Sequence, residues 1–159
     1  MFKMKDFDRG YAETKKRLAE IGKRKVTVGI HGKDDARGDE LTNVELATIH
    51  EFGAGNNPER SFLRRTLDEH GAEYATYARE LALKVIDGKL TSERALGLLG
   101  MKVKSDVIRL FDTNQINPDI SDATKARKGS STVLIDTASL KQAIDFVVRG
   151  LLESAGGIT

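Results

Sequence analysis

The stretch Thr42 to Arg65, T-N-V-E-L-A-T-I-H-E-F-G-A-G-N-N-P-E-R-S-F-L-R-R, holds the densest local instructions in this chain. Thr42 and Glu45 stand three apart, the spacing at which a hydroxyl and a carboxylate satisfy each other's backbone N–H at a helix start. Val44, Ala47 and Ile49 give that helix an apolar side, and Gly53 and Gly55 end it after about three turns. Asn56, Asn57 and Pro58 form a turn, and Phe62 and Leu63 open a longer helical pattern.

Working back toward the N-terminus, Val26, Val28 and Ile30 alternate with Lys25, Thr27, Gly29 and His31. The period of two and the β-branched residues predict a strand over 25–31, with His31 on its exposed polar side. Before it, Phe7, Tyr11, Thr14, Leu18 and Ile21 recur at steps of three and four, predicting an amphipathic helix over Asp6 to Gly22. Its other side, with Arg9, Glu13, Lys16, Arg17 and Glu20, reads as a solvated face. Gly32 to Leu41 is polar and without period, hence a loop; its Arg37-Gly38-Asp39 is too short to specify adhesion.

Forward of the opening stretch, Leu63, Leu67, Tyr74, Ala78, Leu81 and Val85 extend one stripe to about Ile86. Thr91 or Ser92 caps a second helix, striped by Leu96, Leu99, Val103, Val107 and Leu110 as far as Phe111. The short turn between them, at Asp87-Gly88, predicts an antiparallel pair. Asp112 to Thr132 reads as a long loop containing a basic cluster, Lys125, Arg127 and Lys128. Asp136 or Thr137 then caps a short helix through Ile144, and Asp145 to Arg149 reads as a closing strand that pairs with the early one. The expected fold is α+β: a small, mainly antiparallel sheet packed against two long amphipathic helices plus an N-terminal helix. Residues 1–152 form one domain in this reading, and 153–159 a flexible tail.

Composition bounds the function. The chain has 159 residues, 39% hydrophobic and 31% charged, a globular composition. It has no cysteine, which removes disulfides, thiolate metal sites and thiol nucleophiles together. Net charge is +2, too near balance to mark a nucleic-acid binder, although residues 1–33 carry ten Lys/Arg against four Asp/Glu. No apolar run approaches the roughly 20 residues of a membrane span, and the start lacks the apolar core of a signal peptide, so a membrane role is not expected.

The chemical motifs fail on spacing. His50-Glu51 begins a zinc-protease pattern, but position 54 is Ala54 and not histidine. Gly53-Ala54-Gly55 begins a dinucleotide fingerprint, but Pro58 stands where its third glycine belongs. No phosphate-binding loop or Gly-x-Ser-x-Gly occurs, so no catalytic residue, metal or cofactor is expected and the chain is read as not an enzyme.

Two segments together carry a resemblance. I-H-E-F-G at Ile49 to Gly53 is followed by P-E-R-S-F-L-R at Pro58 to Arg64. Lys128-Gly129 and L-I-D-T-A-S-L at Leu134 to Leu140 come much later. In order and spacing these resemble the neck and tail-completion (head-tail joining, virion morphogenesis) proteins of tailed bacteriophages. About a quarter of the chain carries the match directly. Ser61 and Arg65 replace prolines of the family pattern, and Ala138 replaces a glycine. The resemblance implies a virion structural protein at the head–tail junction, made in the host cytoplasm. It would assemble with itself as a ring, expected to be a hexamer, around a channel through which genomic DNA passes without sequence specificity. Its other partners would be head-completion or connector proteins and tail-terminator or tail-tube proteins. Under it, His50, Glu51, Phe52, Arg60, Phe62 and Arg64 are the expected subunit or partner interface. Lys125, Arg127 and Lys128 form a DNA-facing or partner loop. The competing reading from the residues alone is a small nucleic-acid-binding or regulatory protein, using the basic N-terminal helix and the Lys125–Lys128 loop.

Overall fold

A computed structural model describes residues 10–32, 41–55, 57–112 and 138–151. In chain order the elements are α1 (Tyr11–Ile21), β1 (Arg24–Ile30), α2 (Asn43–Phe52), α3 (Leu63–Ile86) and α4 (Ser92–Asp112). A short helix, α5, lies over 138–143 and leads directly into β2 (Ile144–Gly150). The expected strand over 25–31 and the closing strand are both present, each shifted or extended by one residue, and the α+β expectation holds.

β1 and β2 pair antiparallel, with Val26 opposite Val148, Val28 opposite Phe146 and Ile30 opposite Ile144. Because strand side chains alternate faces, these apolar pairs share one side of the sheet. That side lies on α4, which is the central element: it touches both strands on one flank and α3 on the other. The close approach is made at Gly100. A Cβ placed there would stand 2.7 Å from Phe146 Cδ2 and 2.8 Å from Val26 Cγ2, so only a hydrogen fits. Gly97, one turn earlier, also faces the Phe146 ring. The apolar stripe of α4 does not announce this glycine side.

α3 and α4 are antiparallel, since Tyr74 meets Asp106 while Leu81 and Val85 cluster with Ala95. The main core joins Phe62, Tyr74, Val103, Val107, Leu110, Leu140 and Ile144. Phe62, Val107, Leu140 and Ile144 are almost wholly buried. Each such side chain contributes about 1.5–3 kcal/mol relative to remaining in water.

Three stripes differ from expectation. On α2, Val44 is exposed, and Asn43 and Glu51 are the buried residues. On α3, Leu67 is exposed and Thr66 takes the buried place, its hydroxyl donating to Phe62 O at 2.7 Å. A threonine there costs little because its one polar hydrogen is already bonded within the helix. On α1, Tyr11 and Leu18 are both exposed. This helix docks through Ile21 and through Arg17, whose Nη1 donates to Ile86 O at 3.0 Å. The expected solvated face of α1 thus supplies one of its anchors. The loops expected at 32–41 and 112–132, with Arg37-Gly38-Asp39, fall almost wholly outside the described residues, as do the start of the first helix and the tail.

Candidate functional site: the turn between α2 and α3

The α2 start is built as its sequence implies. Thr42 Oγ1 accepts from Glu45 N at 3.2 Å, and Thr42 N donates to Glu45 Oε2 at 2.9 Å. That backbone donor, and after it the Thr42 hydroxyl, holds the Glu45 carboxyl below its usual range.

The helix stops at Gly53, with φ at 72°, a left-handed value that glycine adopts without strain. A Cβ at Gly53 would also press on Asn57 O and Glu59 N at 3.1 Å. Ala54 and Asn57 then exchange backbone hydrogen bonds of 3.1 and 2.9 Å, closing a tight turn. Arg60 N donates to His50 O at 2.7 Å, tying the returning chain to α2.

Glu51 organises the start of α3. Its carboxylate accepts from Phe62 N at 2.9 Å, Leu63 N at 3.1 Å and Arg64 N at 2.9 Å. The first N–H groups of a helix have no partner within it, and a negative charge there also suits the helix dipole. Phe62, at the cap position of α3, has no side-chain oxygen to offer, so a residue eleven positions earlier does the capping. Arg64 braces the same point. Its Nη2 donates to Glu51 O at 2.7 Å and to Glu59 Oε1 at 2.8 Å, and its guanidinium lies 5.4 Å from the Phe52 ring centre.

The six residues expected at an interface therefore divide. Glu51 and Phe62 face inward: Glu51 is 7% exposed, and Phe62 is 1% exposed with its ring 5.1 Å from that of Phe111. His50 and Arg60 are half-buried, each with interactions inside the fold. Arg64 is half-exposed, and Phe52 is 66% exposed. Of the six, Phe52 and Arg64 are thus the ones most open at the surface, while Glu51 and Phe62 lie beneath them. Lys125, Arg127 and Lys128 lie outside the described residues.

A second polar centre is one that sequence reasoning misses. Asp106, 8% exposed, accepts from Tyr74 Oη at 2.9 Å, Lys102 Nζ at 3.4 Å and Arg109 Nη2 at 2.7 Å. Lys102 also pairs with Glu73 at 2.8 Å. Burial, then the Asp106 hydrogen bond and charge, push the Tyr74 hydroxyl far above its ordinary pKa. The available signal is a carboxylate three residues after Val103 and four before Leu110, within the apolar stripe.

Each of the two carboxylates accepts three hydrogen bonds from within the fold. Among the described residues no group of three or more His, Asp or Glu is placed to hold a metal ion. An open cleft of about 510 Å³ lies elsewhere, between α1 and the α3–α4 turn, with Lys16, Arg17, Glu20, Lys89 and Arg94 among its lining residues. Among the described residues no helix is long and apolar enough to cross a membrane. No protein-family model matches the chain, and no curated protein or solved structure matches it either.

Proposed function

We propose that this chain is a structural protein of a tailed-bacteriophage virion, forming a ring at the head–tail junction around the DNA channel. The motif resemblance supports the reading, and so does the use to which the motif residues are put. I-H-E-F-G and P-E-R-S-F-L-R are the two halves of one braced turn, joined through Glu51 and Arg64. The observation that carries the proposal is the Phe52–Arg64 pair. An aromatic ring two-thirds exposed is stacked by an arginine that two other groups already hold. Aromatic and arginine side chains are enriched in the cores of protein interfaces, and a pre-positioned pair loses little conformational freedom on binding.

Locating the chain by density in electron micrographs of purified particles tests the proposal: it belongs at the neck. Density inside the capsid or at the tail tip would overturn it. Phe52→Ala probes the contact itself, since an exposed ring can be removed without opening the core. The expected result is a folded protein whose self-association weakens by about thirtyfold, the cost of one interface hot spot. Arg64→Ala acts in the same direction. Rings and infectious particles at normal yield from both variants would show that the pair makes no such contact.

A further inference from the structure

The sheet has two strands, so among the described residues each strand has one edge with no further strand beside it. One bond fixes which backbone groups those edges present. Leu151 N donates to Lys23 O at 2.8 Å, continuing the ladder by one pair beyond the strands. In an antiparallel ladder, hydrogen-bonded pairs alternate with non-bonded ones. Lys25 with Arg149, Thr27 with Val147 and Gly29 with Asp145 are therefore the bonded pairs. The backbone groups of Arg24, Val26, Val28 and Ile30 turn outward on one edge, and those of Ile144, Phe146, Val148 and Gly150 on the other. The Phe146 N–H is taken by the Asp145 carboxylate. Those of Val26, Val28 and Val148 meet no partner among the described residues. The side chains of Val26, Val28, Phe146 and Val148 are half-buried, although they lie on the α4 side of the sheet.

We infer that the β1 edge of one copy pairs with the β2 edge of a second copy, head to tail, so that the two-stranded sheet continues from subunit to subunit. The inference rests on the self-assembly in the function proposed above. A second copy is the fitting occupant because one chain carries both halves of the contact. The edges are equal in length, seven residues each, with their apolar side chains on one face. Copies related by rotation keep every new strand pair antiparallel, and such a heterologous contact closes into a ring when the rotation closes.

Charge selects the register. Repeating the intrachain alignment would set Lys25 beside a second Arg149, and like charges directly opposite destabilise a sheet. A shift of two residues keeps every side chain on its own face and sets Val28 against Val148 of the second copy. It also sets Thr27 against Arg149 of the second copy, and His31 against Asp145 of the second copy, so that the like charges of Lys25 and Arg149 no longer meet across the new contact.

Amide exchange and sedimentation velocity on the full chain test this. The Val26, Val28 and Val148 amides, fast in dilute solution, are expected to slow by at least about tenfold in the assembled protein, while Thr27 and Val147 are slow in both states. Val148→Pro removes one outward N–H and none from the intrachain ladder, as proline on an edge strand permits. It is expected to stay folded and monomeric, whereas Val148→Ala, which keeps the N–H, still assembles. Assembly of Val148→Pro to the extent of Val148→Ala would overturn the inference. If Val148→Pro does not fold, the exchange comparison on the unaltered protein decides alone. Assembly with these three amides still exchanging at their dilute rate overturns the edge contact and leaves the ring reading standing. Absence of any association at the highest soluble concentration overturns both.

Discussion

Glu51 and Asp106 are buried carboxylates that each accept three hydrogen bonds, yet they do different work. Glu51 takes all three of its donors from successive backbone N–H groups at one helix end. Asp106 takes its three from side chains, Tyr74 across the helix pair and Lys102 and Arg109 on its own helix. A backbone N–H at a helix start cannot turn elsewhere, whereas a lysine or arginine at the rim can swing into water. The first carboxylate therefore decides where a helix begins. The second adds specificity to a contact that Leu81, Val85 and Ala95 already secure by apolar packing.

Removing Glu51 is expected to have the largest effect. Glu51→Ala leaves three N–H groups at the start of α3 without their partner and takes a support from Arg64, for a loss of roughly 2–4 kcal/mol. Glu51→Gln keeps an acceptor oxygen and loses the charge, and falls at about half that. Urea denaturation monitored by circular dichroism measures both. A loss below about 1 kcal/mol for Glu51→Ala would show that water caps this helix as well as the carboxylate does, and the contrast with Asp106 would vanish.

The contrast also explains what can be read without coordinates. The Thr42–Glu45 box, the Gly53 stop and the valine alternation in β1 are rules of neighbours in sequence, and each is realised as read. Glu51 itself stands out in the sequence, but for a surface role, because nothing in I-H-E-F-G says that its carboxylate turns inward to α3. Phe62, with no oxygen at a helix start, is the clue that points inward: a cap has to come from somewhere. The glycine side of α4 escapes for a related reason. A hydrophobicity stripe records what is large and apolar, while Gly97 and Gly100 matter because they are small enough to admit Phe146. The exposed Tyr11 and Leu18 mark the opposite limit, since periodicity identifies a face without saying whether anything covers it.

Tyr74→Phe tests the other carboxylate at intermediate size. Asp106 keeps Lys102 and Arg109, so the expected loss at neutral pH is about 1 kcal/mol. The pH dependence carries the sharper signature. Folding raises the Tyr74 pKa, so its neutral form is favoured in the folded state. That stabilisation is complete below the unfolded value near 10 and is lost progressively as pH rises from there through the raised folded value. The difference in stability between the original protein and Tyr74→Phe should therefore shrink above about pH 10. A difference that stays constant to higher pH would mean that the hydroxyl is not held by Asp106.

Thr42→Ala is expected to be the mildest, and it separates an exposed cap from a buried one. The hydroxyl leaves the Glu45 N–H, but water reaches that donor at once, so the cost is about 0.5–1 kcal/mol, against several times that for Glu51→Ala. The Thr42 N–H to Glu45 bond survives, because it is backbone on the Thr42 side. Its linkage survives with it. Folding lowers the Glu45 pKa, so the associated stabilisation is present above the ordinary value of 4.5 and is lost as pH falls through and below it. Because the backbone donor is the larger of the two Thr42 contributions, Thr42→Ala should keep more than half of that acid dependence. Glu45→Gln should abolish it. If Thr42→Ala instead removed the acid dependence entirely, the hydroxyl would be the dominant partner, and α2 would be held by its threonine much as α3 is held by Glu51.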